Sequence, residues 1–266
     1  MSGLRGWMSC LALGCALSIL PLAAGAAETV LQVDALSAYV WRGQVLNDEA
    51  VFQPSLNVAA SNGLSFNTWA NWNLTDSLGE NSKNEFNEVD LTVSYDVPVK
   101  VVDLTVGAAE YEYPNQTVAA ADETSSAFAL PSTREAFVSV GKEDLLLSPS
   151  ATVYYDFGAV NAFYGLISIS QSFEATKELS FDVTLSVGAG DSDYNTYYFG
   201  VDKVKLNDGN AKLGASYAFT ESLSVSAYAM YTYLLDSSIR DSAKENDAYF
   251  NKGDILSGGV SLAYGF

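Results

Sequence analysis

The sequence predicts an all-β protein, a transmembrane antiparallel β-barrel of about 12 strands that follows a cleaved signal peptide. Three observations lead there. Apolar and polar residues alternate with period two through most of the chain, the alternating segments run to about ten residues, and the connections between them switch between tight and long.

The first segment is read as an export signal. Arg5 supplies a positive start, Trp7 to Leu22 is an almost unbroken apolar run, and Ala24-Gly25-Ala26 is a small-residue cleavage site. Cleavage after Ala26 divides the chain into a signal peptide, 1–26, and a barrel, 27–266. Cys10 and Cys15 both lie in the signal, so the exported part has no cysteine and no disulfide to lean on. Without Arg5 that part carries 12 basic residues against 32 acidic ones, a formal charge of −20. Such acidity argues against nucleic acid as a partner, since phosphate binding needs a basic surface. No stretch beyond residue 26 offers the roughly 20 apolar residues of a membrane-crossing helix. A membrane protein of this kind has to cross as a closed sheet.

The alternation is clearest at Leu179, Phe181, Val183, Leu185 and Val187, which share one face against Ser180, Asp182, Thr184, Ser186 and Gly188. Soluble sheets alternate too, but their strands are usually nearer five or six residues. Aromatic pairs at strand ends, Tyr39 with Trp41, Tyr231 with Tyr233 and Tyr264 with Phe266, are expected to form interfacial girdles. Tight links at 61–63, 98–100 and 220–222 alternate with long ones at 75–86, 113–132 and 236–253. Outer-membrane barrels have short periplasmic turns and longer outer loops, and normally an even strand number. Counting on that basis gives strands over 29–42, 51–60, 64–74, 87–97, 101–112, 133–142, 150–158, 162–173, 179–190, 210–219, 223–235 and 254–266. Tyr197 to Leu206 then belongs to an outer loop, and Pro54 falls within the second strand, where it suggests a bulge. The last strand alternates through Leu256, Val260 and Leu262 to Tyr264 and Phe266, an ending expected to be read by the barrel-assembly machinery.

Several ordered stretches carry a family resemblance: Tyr39 to Gly43, Glu88 to Leu91, Tyr111 to Pro114, Thr133 to Glu135 and Ser148 to Phe157. Together they resemble the TorF family of porins. The C-terminal part, with Tyr198 to Val201 and Leu234-Leu235-Asp236, is also similar to outer-membrane barrels of the MltA-interacting type. Both resemblances imply a barrel in the outer membrane of a Gram-negative cell, surrounded by its lipids, and neither implies a substrate.

There is no histidine anywhere in the chain. Ordinary Ser-His-Asp chemistry is therefore absent, no Cys or His cluster can hold zinc, and neither an enzyme nor a cofactor is expected. Asp191, Asp193, Asn195 and Asp202 fit four positions of a calcium-loop pattern, but Thr196 stands where glycine should turn the chain. A solvated acidic outer loop is the expectation there, with no metal. Asn73 and Asn115 open accidental glycosylation patterns.

By parity, Asp34, Glu88, Asp90, Asp96, Asp103, Glu135, Asp156 and Asp182 face the lumen, with Arg42 and Lys212 as the clearest inward bases. Two roles stay open for them. They pair with one another and fill a narrow barrel, or they form an acidic wall that favours cations. The excess of acids favours the wall. The expected function is passive diffusion of small hydrophilic solutes, cations preferred, and the alternative is a closed barrel that organises envelope components through its loops.

Overall fold

The computed structural model describes residues 28–77, 82–118 and 128–266; the signal peptide lies outside them. Twelve antiparallel strands close into one barrel. They are β1 (Glu28–Leu36), β2 (Val51–Ala59), β3 (Leu64–Asn73), β4 (Phe86–Val97), β5 (Asp103–Glu112), β6 (Thr133–Gly141), β7 (Ser150–Asp156), β8 (Phe163–Glu174), β9 (Leu179–Gly190), β10 (Lys205–Ala218), β11 (Leu223–Leu234) and β12 (Asp254–Gly265). Each pairs with its sequence neighbours, and β1 meets β12 in the register Val30 to Gly265, so the sheet has no free edge. Among the described residues no helix is long and apolar enough to cross a membrane.

Alternation sorts the two faces. Leu185, Leu213, Val260 and Leu262 are exposed on the outside, where a barrel meets lipid, while Thr184, Lys212, Ser226 and Ser261 point inward. Tyr231, Tyr264 and Phe266 lie exposed on the outside near strand ends. Turns 60–63, 98–102, 142–149, 175–178 and 219–222 lie at the end that also holds both termini of the barrel. That end is periplasmic in the usual orientation of such barrels.

Two outer connections build a cap. Helix α1 (Ser192–Phe199) starts at Asp191, whose side chain accepts from Tyr194 N, and ends at Gly200 in the left-handed region. Helix α2 (Ser237–Lys244) starts at Asp236, which accepts from the Ser238 and Ile239 amides. Lys205, at 2.6 Å, and Ser238 hold the Asp236 carboxyl well below the usual carboxylate range. Tyr194, Phe199, Ile239, Ala243 and Tyr249 bury one another with Tyr164 and Leu234 from the wall, so the cap has an apolar core.

Five expectations change. The first strand stops at Leu36 rather than 42, because Ser37 turns the chain, its amide bonded to Gly258 O. The alternation continues beyond it in a short hairpin, 39–41 with 44–47, inside the barrel, so Tyr39 and Trp41 are lumenal and not part of a girdle. The tenth strand begins at Lys205, five residues before the expected 210, and Tyr197 to Leu206 is the end of α1, a short link and the start of β10. The calcium-like pattern is a helix cap rather than a solvated loop: Asn195 is buried, donating to Gly190 O and Lys203 O. Pro54 causes no bulge, since β1 pairs through it in unbroken register.

The inner hairpin has an irregularity of its own at Tyr39-Val40, and the barrel wall has two bulges, both at the outer ends of strands. Between β3 and β4, Asn71 pairs with Glu88 and Trp72 with Phe86, leaving Asn87 as the extra residue. Between β9 and β10, Val187 pairs with Gly209 and Ala189 with Leu206, so Asn207 and Asp208 together oppose Gly188. An extra residue breaks strict alternation. Asn87 with Glu88, and Asn207 with Asp208, are consequently all buried inside.

The lipid face gives a direct expectation. Leu213→Arg, mid-strand and outward, should cost about 2–4 kcal/mol if it meets the bilayer interior. Ser216→Arg on the lumen face should cost far less. Urea unfolding of the protein in lipid vesicles measures both, and equal losses would contradict the assignment of faces.

Candidate functional site

The inner hairpin organises the outer half of the lumen. Arg42 and Gly43 both have positive φ, +48° and +82°, which makes the two-residue turn that matches strand twist. The tip reaches the far wall: a Cβ on Gly43 would come within 2.6 Å of Asp208 Cβ and 2.7 Å of Leu234 Cδ2. Only glycine fits that contact and that φ together.

Arg42 is held on several sides. Its Nη1 and Nη2 donate to Glu135 Oε1 and Oε2, both at 2.7 Å, and side-chain exposure is 9% and 5% for the two residues. Its guanidinium carbon lies 4.4, 4.3 and 4.5 Å from the ring centres of Trp41, Tyr154 and Tyr164. Tyr111 OH adds a donor to Glu135 Oε2 at 2.8 Å. A fork-to-fork pair between planar groups suits arginine and carboxylate, and stacked rings suit a weakly hydrated guanidinium.

Neutral amides tie the rest of the hairpin to β2–β4. Gln53 donates to Asn71 Oδ1 at 2.9 Å, Asn71 to Asn87 Oδ1 at 2.6 Å, and Asn47 to Asn73 Oδ1 at 3.1 Å. Across the lumen, Gln44 donates to Tyr194 OH at 3.1 Å, and Tyr164 OH to Asp208 Oδ1 at 2.7 Å. A Cβ on Gly188 would collide with the Tyr164 hydroxyl, so this glycine makes the room for that ring.

Beside the hairpin, under the outer loops, lies a cavity of about 720 Å³. Tyr39, Trp41, Tyr111, Tyr113, Tyr197, Tyr198 and Tyr249 wall it, with carboxylates from Glu85, Glu88, Glu135 and Asp156. None of the described residues that line it is lysine or arginine.

The residues expected to face the lumen fall into four settings. Glu135 and Arg42 form the pair just described, although Arg42 comes from the inner hairpin and not from a wall strand. Glu88 is buried against Tyr39, and Asp90, two residues further into the barrel, has a buried Oδ1 without a hydrogen-bond partner. Asp156 is buried too, but it serves a turn: Oδ1 accepts from Gly158 N and Val160 N, and Oδ2 from Thr133 Oγ1 at 2.6 Å. It is therefore a structural acid rather than a free wall charge.

The others line the periplasmic half. Both Asp34 oxygens accept from Gln32, Asp96 accepts from Thr105 at 2.7 Å, and Asp182 lies against Gly214. Asp103 sits at the rim, accepting from Glu143 N in the neighbouring turn. Lys212 lies 4.8 Å from the Tyr228 ring centre. Sequence reasoning missed Asp208, Tyr154, Tyr164 and the amide network. A run of outer-end asparagines, 71, 73, 87 and 207, was the available signal for the network.

Removing one member of the buried pair should leave an uncompensated charge. Arg42→Met alone should cost about 3–5 kcal/mol, and Arg42→Met with Glu135→Gln should recover most of it. Thermal unfolding in detergent measures the difference; a double variant as weak as the single one would show that the pair is not the source of the loss.

Comparison with known proteins follows the same architecture. No curated relative matches the chain in sequence. Among solved structures, the NanC porin superposes with a TM-score of 0.53 at 12% identity, covering 88% of this chain and 98% of that one. The KdgM porin gives 0.49 at 8% identity, over 90% and 99% of the two chains. At 12% identity the likeness to NanC is one of fold, a porin-like barrel. The family model of MltA-interacting protein MipA matches residues 13–266. That match extends well beyond the C-terminal part compared above with the MltA-interacting type and takes in the stretches, 39–157, from which a TorF-type porin was expected. The chain belongs to the MltA-interacting protein MipA family.

Proposed function

We propose that the protein is an outer-membrane channel for passive diffusion of small hydrophilic solutes, narrowed in its outer half and preferring cations. The observation that carries this reading is the charge balance inside the barrel. Among the described residues Glu88 and Asp90 have no basic partner, while Arg42, carried on the inner hairpin, is bound to Glu135. Further in, Asp34, Asp96 and Asp182 stand against Lys212. A confined wall of net negative charge attracts cations and repels anions. The belt of exposed apolar residues around a closed sheet supports a place in the outer membrane. A lumen built from tyrosines, amides and carboxylates, in a chain without histidine, supports transport rather than catalysis.

The second reading is a barrel that organises partners and passes little. Filling of the outer lumen by the hairpin favours it, as does the cap of α1 and α2, and the family's name describes members that interact with MltA.

Planar-bilayer recording in a salt gradient separates the two. The open channel should show a cation-selective reversal potential that fades as salt rises, with a screening length of about 10 Å at 0.1 M. Glu88→Gln, Asp90→Asn and Asp182→Asn together should move it towards zero while the barrel still assembles. An assembled protein that passes no current would leave the organising role ahead; anion preference would overturn the acidic-wall mechanism.

A further inference from the structure

We infer that the outer cavity is a binding site for organic ammonium ions, whose charged end is received at Glu88 and whose body lies against the aromatic wall. This deepens the diffusion reading and rests on it for the role of the site, though not for the binding itself.

The cavity, at about 720 Å³, has the size of a small-molecule site. Its aromatic wall is continuous: Trp41 meets Tyr198 edge-on at 5.7 Å, and Tyr198 meets Tyr197 at 4.9 Å. Ring faces attract cations through their quadrupole, most strongly where water is excluded. The structure already shows this wall material holding a cation, because the Arg42 guanidinium is packed on Trp41, Tyr154 and Tyr164 and paired with Glu135.

Glu88 offers a second, similar setting on the cavity side. It is 5% exposed, lines the cavity beside Tyr39, and no described residue lining that cavity is basic. Asp90 lies behind it with its buried, unpartnered Oδ1. A cation bound here would supply the charge partner that the site lacks. A bare metal ion suits the site poorly. Among the described residues no group of three acids is placed to hold one, and aromatic walls would strip a small ion of water without replacing it. An alkylammonium ion carries apolar surface around its charge, which is the combination that ring faces and a carboxylate together recognise.

The test uses choline and its uncharged isostere 3,3-dimethylbutan-1-ol, titrated by calorimetry into the folded protein in detergent. Choline should bind at least about tenfold more tightly than the isostere, a difference of about 1.4 kcal/mol. Glu88→Gln, checked as a folded barrel by its gel mobility before and after boiling, should lose roughly that tenfold preference. Trp41→Leu should weaken choline in the same way. If the variants do not fold, the comparison of choline with its isostere on the unaltered protein still decides. Equal binding of the two, or binding of neither, overturns the inference even if the protein conducts. A protein that prefers choline yet passes no current supports the site while defeating the diffusion reading.

Discussion

A guanidinium placed inside a barrel loses water on every side, and Arg42 is tolerated there because Glu135 accepts from both Nη1 and Nη2 and three rings cover its faces. Desolvation of two charges is expensive, so such a pair does more to fix a geometry than to add net stability. The geometry fixed here is the inner hairpin. With Arg42 anchored on β6, β7 and β8, and Gly43 against β10 and β11, a segment that leaves the wall at Ser37 crosses the lumen before returning to β2. The filled outer half, the side cavity and the direction in which Tyr39 and Trp41 face all depend on that crossing.

The two bulges complete the arrangement. A regular strand sends alternate residues inward, so an asparagine and an adjacent acid cannot both face the lumen unless the ladder gains a residue. At Asn87-Glu88 and at Asn207-Asp208 it does, on separate walls and both at the outer end. Asp208 is satisfied by Tyr164 and Asn210, and Asn87 by Asn71. Amides donate and accept in one group, which lets a crowded polar interior close its hydrogen bonds without further charge. Among the described residues Asp90 keeps a buried oxygen without a hydrogen-bond partner, and the same bulge brings Glu88 and Asn87 together to the cavity.

The barrel itself was legible in the sequence because lipid on one side and a wet lumen on the other impose period two on every strand. Ten of the twelve strands fall within about two residues of their expected bounds, since turns and the switch to polar loops mark their ends. The exceptions share a cause. Tyr39 to Asn47 alternates like a wall strand but pairs with itself, and periodicity cannot tell which partner a strand will find. Lys205 to Gly209 was hidden because the bulge breaks the alternation that identifies a strand. Parity alone could not separate Asp156, whose carboxylate holds the 157–162 turn, from Asp90, whose Oδ1 has no hydrogen-bond partner. That distinction belongs to contacts between distant segments.

Hydrogen exchange over Tyr39 to Asn47 addresses the central claim, that this segment is a fixed part of the lumen held by Arg42 and Glu135. In the folded protein its paired amides should exchange about as slowly as those of β2, far more slowly than an exposed outer loop. Exchange of these amides at the rate of an open loop would contradict the account, because an unfixed hairpin could neither fill the outer lumen nor shape the cavity beside it.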